Sequence, residues 1–211
     1  MKKYLSELIG TFFLVFVGTG AIMINDITGE LTNLGISLSF GLVVMVVIYS
    51  IGDISGAHIN PAVTIAFWIS GRFNGKHVIP YILFQILGAI FASLTLYYIL
   101  PESSIMGETL VKDNNWLQSF FLEFIITFIL MFVILNVSTG SKEKGFIAGI
   151  SIGAVVAFMA IFTGPISGAS MNPARSIAPA LFGNSSYLWV YIVSTILGAI
   201  SSVFVYNLIR D

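Results

Sequence analysis

The sequence predicts an all-α membrane protein, with six transmembrane helices and two re-entrant half-helices arranged as an inverted internal repeat. Composition is the first sign: 57% of residues are apolar and 9% charged, with a mean hydropathy of +0.98. Soluble domains carry roughly 25% charged residues, so this chain cannot cover itself with polar surface and takes the bilayer as its solvent. The second sign is six apolar segments of spanning length. The third is a duplication: Ser55-Gly-Ala-His-Ile-Asn-Pro-Ala-Val-Thr-Ile-Ala66 returns as Ser167-Gly-Ala-Ser-Met-Asn-Pro-Ala-Arg-Ser-Ile-Ala178, identical at eight of twelve positions.

A helix needs ~20 largely apolar residues to cross the hydrocarbon. The segments at about 6–25, 33–52, 78–99, 116–138, 146–164 and 187–208 meet that length. The first begins after Lys2-Lys3 and has the outline of a signal peptide. Glu7 interrupts its apolar run, and the segment has a counterpart in the second half, so it reads as a span. Two shorter pieces, about 60–70 and 172–182, directly follow the repeated Asn-Pro. Such a helix reaches ~15 Å, half of the ~30 Å core. Asn60 and Asn172 suit the N-cap, Pro61 and Pro173 the first turn, and Gly71 and Gly183 the stop.

Two further pairs extend the duplication. Glu7-Leu-Ile-Gly-Thr-Phe-Phe-Leu-Val-Phe16 matches Glu123-Phe-Ile-Ile-Thr-Phe-Ile-Leu-Met-Phe132, and Ile86-Leu-Gly-Ala-Ile90 matches Ile196-Leu-Gly-Ala-Ile200. The chain therefore reads as one membrane domain, 1–211, built of repeats at about 1–100 and 116–211 joined by the loop at 100–115. Each half holds three spans, an odd number, so the second half enters from the opposite side and the repeats are inverted. Charge agrees. With the N-terminus inside, Lys2, Lys3, Arg72, Lys76, Lys142, Lys144 and Arg210 are cytoplasmic, and only Lys112 is outside, beside Asp26, Glu30, Glu102, Glu108 and Asp113. That is the positive-inside pattern, with both termini cytoplasmic.

Inversion brings the half-helices together by their N-termini near the midplane, each with several unpaired N–H groups and about half a positive charge. The segments 55–60 and 167–172 are then non-helical, and such backbone survives at this depth only beside protein or water. They are expected to line an aqueous path with carbonyl acceptors, while Asn60 and Asn172 offer side-chain N–H donors. Two breaks packed purely for structure are the plainer alternative, but matched inverted breaks argue for a path.

Other classes lose ground. There is no Cys, and His58 and His77 are the only histidines. No metal cluster, cofactor site or Ser-His-Asp arrangement is in view, and no basic patch suggests nucleic acid. No catalytic residue is assigned. A coupled secondary transporter also fits inverted repeats, but only Glu7 and Glu123 put acids within the spans.

Two Asn-Pro-Ala motifs, the second continuing to Arg175, resemble the aquaporin, or major intrinsic protein, family of water and small-solute channels. The likeness covers the whole chain. Gly164-Pro-Ile-Ser-Gly-Ala-Ser-Met-Asn-Pro-Ala-Arg-Ser176 is especially similar to the nodulin-26-like branch and its bacterial relatives. The resemblance implies a passive pore in each subunit of a homotetramer, in the plasma (inner) membrane, with lipid around it and water and small uncharged solutes such as glycerol passing through. Protons and ions would be excluded. A channel used mainly for glycerol or neutral metalloid hydroxides is the alternative.

By that resemblance the motifs Asn60, Pro61, Ala62 and Asn172, Pro173, Ala174 form the centre of the pore, and the carbonyls of Gly56, Ala57, His58, Gly168, Ala169 and Ser170 hand water along. Arg175 is one wall of the narrowest filter. Its place at membrane depth costs roughly 2.5–3.5 kcal/mol, and the half-helix dipole disfavours it further; a structural salt bridge is the competing reading. Phe40, Ala160 and Ala169 complete the filter by spacing, with Phe40 alternatively a core aromatic. Water-selective relatives usually place a His where Ala160 stands, so two alanines imply a wider, less polar opening. Ser176, Ala180 and Tyr191 are of the water-channel type, while Ile192 departs from it.

Glu7 and Glu123 are expected to bond the re-entrant backbone rather than to relay protons, and His58 to line the pore or brace the loop rather than to gate it. Gly145, Gly149 and Gly153 form a small-residue face for close helix contact, as do Gly88 and Gly198. Trp68, Trp116 and Trp189 are expected interfacial anchors. Asp53 is a candidate cap for the first loop.

Overall fold

A computed structural model describes the backbone of residues 1–138 and 142–210, and the side chains of 1–138 and 147–210. Eight α-helices account for most of them: α1 (Lys2–Thr28), α2 (Thr32–Ser55), α3 (Pro61–Ile69), α4 (Val78–Ile99), α5 (Trp116–Val137), α6 (Lys142–Ser167), α7 (Pro173–Ala180) and α8 (Leu188–Arg210). Six are long and apolar enough to cross a membrane, and α3 and α7 are the half-helices. α1 and α6 run three or four residues beyond the expected limits at each end, α4 coincides with them, and α5 ends one residue short. Lys142, Lys144 and Gly145, three residues singled out from the sequence, have side chains outside those described.

The half-helices start where the sequence directs. Asn60 Oδ1 accepts from the Ala62 amide at 2.9 Å, and Asn172 Oδ1 from the Ala174 amide at 3.0 Å. Each proline occupies the first turn, where its missing N–H removes no bond. The helices before them end on Gly56 (φ 86°) and Gly168 (φ 80°), a left-handed conformation that glycine adopts without strain. Gly71 likewise turns the chain after α3 with φ 73°. Gly183 stays at negative φ, although its amide donates to the Pro179 carbonyl at 2.9 Å. What it supplies is space, since a Cβ there would lie 2.7 Å from Oε1 of Glu108.

Packing follows the duplication. Helix α1 packs on α4 as α5 packs on α8, and α1 on α2 as α5 on α6, while α2 and α6 cross at the centre. Each half-helix also leans on the other half's last span, α3 on α8 and α7 on α4. Glycine permits the close crossings. A Cβ on Gly88 would sit 2.1 Å from the Leu8 carbonyl oxygen, and one on Gly198 2.3 Å from that of Phe124. Gly41 and Gly153 face each other across α2 and α6, each Cβ position within 2.6 Å of the other's carbonyl oxygen. Leu, Ile and Phe side chains cover the outward faces, as a hydrocarbon solvent requires. Trp116 and Trp189 pair near the span ends with ring centroids 5.5 Å apart, and Trp68 is half exposed.

Candidate functional site

Two carboxylates deep in the bundle hold the re-entrant segments. Glu7 on α1 accepts from the amides of His58 (2.9 Å) and Ile59 (2.6 Å) and from Gln85 Nε2 (2.7 Å). Glu123 on α5 accepts from the amides of Ser170 and Met171, both at 2.9 Å, and from the Ser167 hydroxyl at 2.7 Å. Both are fully buried. The repeated Glu-x-x-x-Thr has a local role as well: Thr11 and Thr127 donate back to the Glu7 and Glu123 carbonyls at 2.7 and 2.6 Å. Four amide N–H groups that no helix satisfies thus find acceptors, which a buried backbone requires.

The half-helices meet tip to tip. Asn60 Nδ2 donates to the Met171 carbonyl at 2.7 Å, and Asn172 Nδ2 to the Ile59 carbonyl at 2.8 Å. Each amide keeps a second N–H. Both residues line a cavity of about 620 Å³ that runs beside the two tips. Towards the face of the chain termini its walls include Tyr49, Asp53 and Ser138; towards the opposite face they include Phe40, Ala160, Ala169 and Arg175. Between them stand apolar side chains such as Leu130, Ile134 and Val156 on one side, and the backbone of 56–60 and 169–172 on the other.

Of the residues proposed from the sequence, Gly56, Ala57, His58, Ala169 and Ser170 lie on this wall, as do both asparagines. Gly168 is not among the lining residues, and a Cβ at that position would lie 3.2 Å from Thr109 Cγ2. His58 is braced as well as lining: Nδ1 is 3.2 Å from the Thr64 hydroxyl, and the ring stacks on Phe67 with centroids 4.8 Å apart. Asp53 makes no cap and sits at the mouth.

Arg175 is 1% exposed. Its Nη1 donates to the Gly107 carbonyl at 2.7 Å, and its guanidinium carbon lies 5.1 Å from the centre of the Phe40 ring. Its Nε and Nη2 have no hydrogen-bond partner among the described residues. Among the described residues the guanidinium bonds a backbone carbonyl rather than a carboxylate, so the salt-bridge alternative has no support.

The sequence pattern described as major intrinsic protein matches residues 1–206. The chain belongs to the major intrinsic protein family. It is 47% identical to "Probable aquaporin NIP-type" of Nicotiana alata over all of this chain and 78% of that one, and 46% identical to "Aquaporin NIP1-2" of Arabidopsis thaliana over all of this chain and 74% of that one. In three dimensions it is similar to the crystallised aquaglyceroporin from Plasmodium falciparum, with a TM-score of 0.84 and 27% identity over 98% of this chain and 95% of that one. The fold is thus that of a major intrinsic protein, an integral multi-pass membrane protein.

Further residues, of which only Ser176 was singled out from the sequence, complete the site. Gln85 and Thr64 join Glu7 behind the first tip, with Gln85 Nε2 3.0 Å from the Thr64 hydroxyl. Ser176 and Thr109 join Ser170 behind the second, with hydroxyl separations of 2.6 and 2.9 Å. A lone Gln in an apolar span was the available signal for the first set. Thr109 and Gly107 lie in a loop with no periodicity to place them.

Proposed function

We propose that this major intrinsic protein is a passive channel for water and small uncharged solutes, formed by one domain over residues 1–211 whose repeats lie at about 1–100 and 116–211. The observation that carries the reading is the cavity threaded past two cross-braced asparagines. Water entering from the Asp53 end meets backbone carbonyls on one wall and apolar side chains on the other, which favours a single file. At the centre the asparagine N–H groups and the positive half-helix tips donate to it and disfavour a proton or cation. Phe40, Ala160, Ala169 and Arg175 form the filter, with the free Nε and Nη2 of Arg175 aimed at solute oxygen. No bond is made or broken, so the protein is a channel and not an enzyme. The family also makes a homotetramer in the plasma membrane with both termini cytoplasmic the expected assembly.

Glycerol or a neutral metalloid hydroxide as the main solute is the second reading. It is favoured by the two alanines opposite Phe40 and Arg175, and by the similarity to an aquaglyceroporin. Stopped-flow light scattering on proteoliposomes, under sucrose and then glycerol gradients, tests both. Fast shrinkage with recovery in glycerol is expected. Shrinkage without glycerol uptake removes the second reading, and permeability no greater than that of empty vesicles removes both.

A further inference from the structure

The loop joining the two halves, outside the repeat, supplies Arg175 with its one hydrogen-bond acceptor among the described residues. That acceptor is Gly107 O, on a short strap at 106–109. The strap is fastened at several points. Glu108 Oε2 accepts from the Met106 amide at 2.7 Å, and its Oε1 accepts from the Asn184 amide at 3.2 Å, in the turn after α7. The Thr109 hydroxyl donates to Ser176 at 2.9 Å, on α7 itself. The Met106 side chain is buried against Met23 and Leu96. Gly107 has φ 68°, and a Cβ there would be 2.8 Å from Thr19 Cβ, so the strap has no room to slide towards α1.

We propose that Glu108 is a specificity-determining positioning residue: its carboxylate clamps the strap to the turn after α7, fixes the Gly107 carbonyl, and through it sets where the Arg175 guanidinium stands across the filter. The inference rests on the filter reading of Arg175. A carboxylate suits the task because it accepts from two amides at once, and charge-assisted bonds are roughly twice as strong as neutral ones. Arg175 has two other donor nitrogens with no partner among the described residues, so the Gly107 carbonyl is the one described hydrogen bond that orients its plane, with the Phe40 ring 5.1 Å from its guanidinium carbon. Gly183 is part of the same device. A Cβ there would lie 2.7 Å from Glu108 Oε1 and 2.8 Å from its Cδ. The side chain of residue 183 therefore decides whether the clamp closes.

The test uses the full-length protein in proteoliposomes, with water, urea and glycerol permeabilities measured for the unmodified chain, Glu108→Gln and Gly183→Ala. Glu108→Gln keeps the size but loses the charge and one acceptor oxygen; Gly183→Ala crowds the clamp from the other side. Both should raise the glycerol-to-water or urea-to-water ratio, by a factor on the order of five, the scale of one lost charge-assisted bond. Because they act on one element, the double variant should shift the ratio no further than the larger single one. Thr19→Ser, on the face the strap packs against, controls for loose packing and should leave the ratio unchanged. A water-only unmodified protein still tests the idea, since the variants must then gain urea passage. An unchanged ratio in Glu108→Gln with water flow intact overturns the clamp and leaves the channel standing. An unmodified protein that conducts nothing overturns both.

Discussion

Phe40 reaches Arg175 because residue 18 has no side chain. A Cβ on Gly18 would fall 2.1 Å from Cε1 of the Phe40 ring, far inside any tolerated contact, so the ring occupies the space that an alanine would need. Gly18→Ala must push the ring towards the cavity, and the expected outcome is a larger fall in glycerol than in water permeability, read by stopped-flow on proteoliposomes. Phe40 stands in this sense both in the core and on the cavity wall, which is why its position in the sequence supported either reading. Ala160 can be tested from the other wall. It lines the same cavity end as Phe40 and Arg175, so Ala160→His should narrow the opening and suppress glycerol more than water. Equal loss of the two fluxes would show that residue 160 is not part of the constriction.

At the level of elements, each half-helix depends on a carboxylate from another helix, and the dependence can be weighed. Glu123→Ala strips acceptors from two buried amides and one buried hydroxyl. An unsatisfied buried donor costs about 1–3 kcal/mol, so the variant should lose at least ~3 kcal/mol and unfold at clearly lower temperature in detergent; an unchanged midpoint would mean that another acceptor serves those amides. The caps, the proline turns and the acid-to-backbone bonds were legible because they are written locally and twice. Asn-Pro fixes where a helix begins, and Glu-x-x-x-Thr recurs in the first span of each half. Contacts made in one half only were not legible. Gln85 behind the first tip and Thr109 behind the second have no counterpart contact in the other half, whereas Ser170 and Ser176 pair as His58 and Thr64 do. Glu108 and Gly107 lie in a connection whose shape is set by what it packs on, not by any periodicity of its own.

The whole molecule is two copies of one helical unit closed on each other, and the closing contacts follow from inversion. Because α3 leans on α8 and α7 on α4, neither half completes its re-entrant element alone. Gly88 and Gly198 show the correspondence in backbone detail, each admitting a carbonyl from the first helix of its own half, Leu8 or Phe124. Inversion with an even number of spans puts both chain ends on one side, and the charge pattern is the basis for expecting that side in the cytoplasm. The absence of cysteine permits a direct test, because a single introduced thiol reports without background. Lys3→Cys and Lys76→Cys flank α1 and α4 on the face of the termini, whereas Lys112→Cys lies in the connection between the halves, across the membrane from them. A membrane-impermeant maleimide added to intact cells should label residue 112 alone, and residues 3 and 76 only after the cells are opened. All three are charged positions at helix ends or in turns, so exchanging them leaves the bundle's apolar packing untouched. Labelling of residue 76 from the same side as residue 112 would require an even number of crossings between them, where α4 alone supplies one. That result would undo the inverted arrangement from which the meeting of α3 and α7 follows.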